Sequence, residues 1–162
     1  MTTVDKENIL KNLTLREVHS GDETAINGFF EAMGGESRSL FNRRAYNQRG
    51  VLKYCQNPDK TRRYWIAEAE GEMVGYVFFL DFNTSVPELG LAVRDDLRGL
   101  HIGRELVAFA QKYARESGKG GITLTTHVAN VRGQALYEHM GFKCVGLCKN
   151  GTELFYLFKY LD

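Results

Sequence analysis

Seven residues, Arg98-Gly99-Leu100-His101-Ile102-Gly103-Arg104, gather two arginines, two glycines and a histidine. These types suit an anion, because arginine carries a fixed charge and glycine lets backbone N–H groups approach a ligand closely. Glu88-Leu89-Gly90-Leu91-Ala92-Val93, just upstream, is short, mostly apolar and bounded by turn residues, as a core strand is. Ile102, Leu106, Phe109, Ala110 and Tyr113 recur at three- and four-residue spacing, which places them on one helical face. A strand-to-helix junction aims N–H groups outward, and the helix N-terminus adds roughly half a positive charge. Pyrophosphate fits such a junction. No Gly-Lys-Ser/Thr follows, so the stretch is not a P-loop, nor does it read G-x-G-x-x-G. Turn geometry alone would also explain arginine and glycine here.

A second stretch, Asn130-Val131-Arg132-Gly133-Gln134-Ala135-Leu136-Tyr137-Glu138-His139-Met140-Gly141-Phe142, follows another apolar strand, Ile122 to Val128. The order strand, Arg-x-x-x-x-Gly, helix, strand, then Asn-x4-Ala-Leu-Tyr-Glu-x-x-Gly-Phe resembles the GNAT family of acyl-CoA-dependent N-acetyltransferases. The resemblance covers residues 62–160, and residues 13–32 more loosely. It implies an α/β fold, a central mixed, largely antiparallel sheet of about seven strands flanked by helices. It also implies acetyl-CoA as cosubstrate and transfer to a primary amine by direct attack in a ternary complex. A non-catalytic acyl-CoA-binding sensor is the alternative. The family's first motif carries glycine where this chain has His101. Histidine enters the left-handed backbone region more readily than most residues, so the loop can keep its shape.

By the same resemblance, Leu91, Ala92 and Val93 offer backbone groups to the pantetheine arm and thioester carbonyl. Arg98, Gly99, Leu100, His101, Ile102, Gly103 and Arg104 cradle the pyrophosphate. Asn130 bonds to the cofactor arm, caps the next helix, or does both. Tyr137 corresponds to the tyrosine beside the CoA sulfur; its other reading is an aromatic packed on the sheet with its hydroxyl tied to backbone.

Amine attack also needs a proton sink. A lysine-like amine of pKa ~10.4 is neutral in about one molecule in 2,500 at pH 7, a barrier of about 4.6 kcal/mol if uncorrected. By the same resemblance Glu88, five residues before Val93 where many relatives carry a glutamate, is the candidate base, directly or through water, although a one-residue change of register would turn it to the opposite face. Some relatives carry a glutamate five residues before the asparagine; here that position is Thr125. Imidazole as a side-chain type can exchange a proton near neutral pH, which makes His127, near the end of that strand, a further candidate. A tyrosine, neutral at pH 7, can protonate the departing thiolate.

The elements that position these groups read as one domain, residues 13–162, after a polar lead-in over 1–12. Leu13 to His19 alternates as a strand, and Asp22 is placed to cap a helix through Met33. A helix over Ser37–Gln48 and a further turn over Val51–Gln56 follow, in the region that walls the acceptor site in GNAT enzymes. Arg43, Arg44, Arg62 and Arg63 there are either solvated charges or attractors of an acidic acceptor. Arg63–Glu70 and Met73–Phe82 form a hairpin, with Trp65, Phe78 and Phe79 in the core. The Ile102 helix ends near Ser117, at Gly118. The last strands run from Phe142 to Cys148 and from Glu153 to Tyr160.

At 162 residues, 43% hydrophobic and 25% charged, the composition is that of an ordinary globular domain. A net charge of +1 gives no case for nucleic acid or a membrane surface. No apolar run nears the ~20 residues of a membrane span or resembles a signal peptide. Cys55, Cys144 and Cys148 form no C-x-x-C pair, which fits reduced thiols and a cytoplasmic location. None falls in the motifs, so nothing argues for an acyl-enzyme, and no spacing forms a metal-ligand set. The expected partner is a small-molecule or peptide amine acceptor, its identity open; a homodimer is compatible with the sequence.

Overall fold

Residues 4–34 and 47–160 are described by a computed structural model. They contain β1 (Thr14–Glu17), β2 (Arg63–Ala69), β3 (Glu72–Leu80), β4 (Glu88–Val93), β5 (Gly121–His127), β6 (Lys143–Leu147) and β7 (Glu153–Lys159). These make one seven-stranded sheet in the order β1-β2-β3-β4-β5-β7-β6. Every neighbouring pair is antiparallel except β4 and β5, which run parallel. The α-helices among the described residues are α1 (Ile9–Asn12), α2 (Glu23–Glu31), α3 (Gln48–Gln56), α4 (Ile102–Glu116) and α5 (Val131–His139).

The β2–β3 hairpin turns through Glu70 and Gly71, both at positive φ (54° and 78°), which matches the right-handed twist of the strands it joins. Central β3 is buried from Met73 to Phe79 because helices cover both faces. Val77 and Phe79 point to the face holding Leu106, Val107 and Ala110 of α4. Tyr76 and Phe78 point to the other, against Phe29 and Phe30 of α2 and Tyr54 of α3. Gly90 of β4 lies opposite Phe78, whose ring occupies the space a Cβ would need. Within the expected lead-in, Val4 and Ile9 are buried against the α4 face. Edge strand β6 is exposed at all five residues and carries an irregularity between Cys144 and Gly146.

The helix ends agree with the sequence pattern at α4 and fall short of it at α2. α4 ends as expected: Gly118 takes φ 78°, its N–H bonds to Arg115 O, and the Lys119 N–H reaches Ala114 O. α2 ends at Glu31, short of Met33, which is still buried. α3 begins earlier than the turn expected over Val51–Gln56, because the Asn47 side chain accepts the Gly50 N–H at 2.8 Å and caps it. Most of the helix expected over Ser37–Gln48 lies outside the described residues, as do Arg43 and Arg44.

Asp22 stands at the N-cap position of α2 but makes no side-chain cap. Its carboxylate instead accepts Arg16 Nη1 and Nη2 at 3.0 and 2.8 Å and the His19 N–H at 2.8 Å. A forked guanidinium is a stronger partner than a lone helix amide, and it ties β1 to α2. Arg16 also bonds Glu68 on β2. Burial alone would raise the Asp22 pKa, but the Arg16 and His19 bonds outweigh it and the net shift is downward. The depressed value makes this contribution full above the unfolded pKa of ~3.9 and lost as pH falls through the lower folded value. Asp22→Asn is therefore expected to cost about 2 kcal/mol at neutral pH, measured by urea unfolding. The gap to wild type should close in strong acid; a gap unchanged from pH 7 to pH 2 would refute the assignment.

Candidate functional site

β4 and β5 pair at Glu88↔Thr123, and the Thr123 N–H reaches Pro87 O at 3.0 Å. Beyond that point β4 stays registered with β3 to Val93, and β5 stays registered with β7 to His127. The two central strands therefore part. Their separation leaves the outer edge of Leu91, Ala92 and Val93 lining a cleft of about 740 Å³. Backbone groups on that edge are available to a ligand, which a closed sheet would not allow.

The chain leaving β4 builds one end of the cleft. Arg94 is buried, and its guanidinium forks onto Asp96 at 2.7 and 3.0 Å, anchoring the turn Asp95–Leu97. Arg98, Gly99, His101, Ile102, Gly103 and Arg104 all line the cleft. Leu100 does not; it packs against the core. Gly99 has φ 79°, and His101 takes φ 66°, ψ 17°, so the chain turns left-handed before α4 starts. His101 provides no side-chain cap, whereas Asn130 caps α5 by accepting the Gly133 N–H at 3.1 Å. Of the two helix N-termini at the cleft, that of α4 keeps its amides available for an anion.

Asn130 is committed twice, since its Nδ2 also donates to Thr126 Oγ1 at 3.1 Å. Tyr137 lines the cleft from α5, 9% exposed, its ring set against Phe142 and Tyr156. Its hydroxyl finds no hydrogen-bond partner among the described residues, unlike that of Tyr156, which donates to Glu138 at 3.1 Å. Desolvation raises the Tyr137 pKa and keeps it a proton donor.

Glu88 lies at the closed end of the β4–β5 gap, paired with Leu80 and Thr123, and does not line the cleft. Strand alternation puts it with Gly90 and Ala92 on the α2 face, while Tyr137 belongs to the core on the α4 face. The structure thus sets the two residues on opposite sides of the sheet. Thr125 and His127 share the Glu88 face. His127 Nδ1 accepts the Ala129 N–H at 3.0 Å, so neutral His127 carries its proton on Nε2 and must break that bond to take another. Arg132, whose place in the cleft the sequence reading did not assign, adds a third guanidinium after Arg98 and Arg104.

A family model described as the acetyltransferase (GNAT) family matches residues 24–142. The chain belongs to that family. N-acetyltransferase family 8 member 3 of Rattus norvegicus is 31% identical over 101 residues, which are 59% of this chain and 42% of the rat protein. The chain thus spans less than half the length of that curated relative. Among solved structures, PaiA N-acetyltransferase from Thermoplasma acidophilum in complex with coenzyme A superposes with TM-score 0.71 at 20% identity, over 91% of this chain and 99% of that one. A spermidine N-acetyltransferase chimera from Vibrio cholerae gives 0.73 at 20% identity, over 91% and 95%. At such identity the likeness is one of fold, and it is the GNAT fold that the sheet order here describes.

The left-handed His101 sets a testable cost. A non-glycine residue there is strained by about 1–2 kcal/mol, partly offset by the greater chain entropy glycine loses on folding. His101→Gly should keep or raise thermal stability, by a few degrees at most, and should not weaken coenzyme A binding. A fall of several degrees would mean the imidazole itself holds the turn.

Proposed function

We propose that this GNAT protein transfers an acetyl group from acetyl-CoA to a primary amine by direct attack in a ternary complex. The observation that carries the reading is the parting of β4 from β5. It opens the Leu91–Val93 edge between a helix N-terminus without a side-chain cap and a tyrosine hydroxyl that has no hydrogen-bond partner among the described residues.

Each of the chain's groups then has a task. The amides at the start of α4, with Gly99 and His101, take the pyrophosphate, and Arg98, Arg104 and Arg132 supply positive charge. Backbone groups of Leu91, Ala92 and Val93 align the pantetheine arm and polarise the carbonyl where negative charge develops. Asn130, fixed through Gly133 and Thr126, holds the start of α5 and hence Tyr137 in place. The acceptor approaches on the Glu88 face. Its nitrogen bonds to the acetyl carbon as the carbon–sulfur bond breaks. The amine proton leaves toward Glu88 through water, and Tyr137 protonates the departing sulfur. His127 is the weaker candidate base, because its Nδ1 is engaged by Ala129.

Residues 13–162 act as one catalytic domain on this reading, with Val4 and Ile9 of the lead-in packed against it. The acceptor is a small molecule or a peptide amine, supported by family membership and by the amine substrate named for the Vibrio fold neighbour. No described helix is long and apolar enough to cross a membrane. We place the reaction in the cytoplasm, where thiols such as Cys55, Cys144 and Cys148 stay reduced.

Calorimetric titration with coenzyme A, acetyl-CoA and ATP, followed by an amine panel read as thiol release, tests the proposal. Tyr137→Phe should lower kcat by about 10²-fold or more while acetyl-CoA affinity stays within about threefold. Tight acetyl-CoA binding with no turnover across the panel would instead mark an acyl-CoA sensor. No binding of either CoA species would remove the functional reading altogether.

A further inference from the structure

An aspartate lines the same cleft as three arginines, and its position is not explained by turn formation. Asp95 opens the short turn after β4, and that turn needs only its backbone, whose carbonyl accepts the Arg98 N–H. The side chain does something else. Oδ1 accepts Arg98 Nη2 at 3.1 Å, and Oδ2 accepts the backbone N–H of Gly34 at 2.7 Å. Gly34 is 61 residues away in sequence, just beyond the end of α2. A Cβ at Gly34 would come within 3.0 Å of that carboxylate oxygen, so the approach is close on both sides.

α2 covers the face of the sheet opposite Tyr137. Its Phe29 and Phe30, with Met33 just after it, belong to the cluster that includes Ala92 of β4. One carboxylate therefore joins a cleft-lining guanidinium to the chain segment bordering the other face. A carboxylate beside an anion site would repel the anion unless its charge were met. Here Arg98 and the Gly34 amide meet it together.

We propose that Asp95 is a positioning residue that couples occupancy of the phosphate end of the cleft to the C-terminal end of α2. The proposal rests on the functional reading above for the identity of the anion. When phosphate oxygens engage Arg98, the guanidinium loses freedom, the Asp95 carboxylate is fixed with it, and the Gly34 N–H is held. Coupling of this kind is reciprocal: holding Gly34 orders Arg98 for the anion.

Amide exchange measured by NMR on the full chain, with coenzyme A as the probe, tests this without an acceptor or turnover. The reference amide is Val18, bonded to Tyr64 O at 3.0 Å near the far edge of the sheet. Saturating coenzyme A should slow exchange at Gly34 at least fivefold more than at Val18. Asp95→Asn, which keeps an acceptor for Gly34 but loses the charge facing Arg98, should abolish that excess. Arg98→Ala at saturating coenzyme A should abolish it as well. Equal slowing at Gly34 and Val18 in the wild type, or an excess that survives Arg98→Ala, would overturn the proposal. If calorimetry shows no coenzyme A binding, the functional reading falls separately. Inorganic pyrophosphate then serves as the probe, and no excess protection with it would overturn the coupling too.

Discussion

The single registered pair between β4 and β5, Glu88↔Thr123, is the constraint on which the rest of the architecture depends. Parallel strands in a sheet ordinarily continue their ladder, and backbone groups left without it must be satisfied by something else. Here each strand is held by its outer neighbour, β3 on one side and β7 on the other, so neither collapses onto the gap. The gap is therefore a built feature of two rigid half-sheets. Ring packing stiffens both: Tyr64 stacks on Phe78 at 5.0 Å in the β1–β4 half, and Phe142 meets Phe158 of β7 at 5.2 Å in the other.

The same division explains why chemistry can be shared across the sheet. A group such as Tyr137 reaches the cleft from the α4–α5 side, in a dry setting that keeps it protonated. Glu88, Thr125 and His127 lie on the other side, where the cover comes from different segments of chain. On the proposed reading, a donor threaded through the gap meets Tyr137 on one face and the acceptor on the other. Tyr137 and Glu88 are thus kept apart by the thickness of the sheet.

Much of this was legible in the sequence where local pattern decides structure. Glu88–Val93 and the helix closed by Gly118 follow from apolar spacing and a left-handed glycine, both readable over short windows. Asp22 was misread as a cap because its actual partners include Arg16 on β1, a tertiary contact that no cap rule contains. Alternation gave Glu88 a face only once a register existed, and the register is set by β3 and Thr123. The bond from Ala129 N–H to His127 Nδ1 depends on how the chain bends after β5. Pairing of Asp95 with Gly34 left no trace, since the residues are far apart in sequence and one of them has no side chain.

Edge strand β6 carries a different consequence. Val145 and Leu147 are 61% and 60% exposed on an outer strand, the arrangement by which one chain can template the misassembly of another. The irregularity between Cys144 and Gly146 breaks the even spacing of donors and acceptors that an incoming strand would have to match. A defect in the ladder thus makes β6, one of the two strands that end the sheet among the described residues, a poorer template for polymerisation.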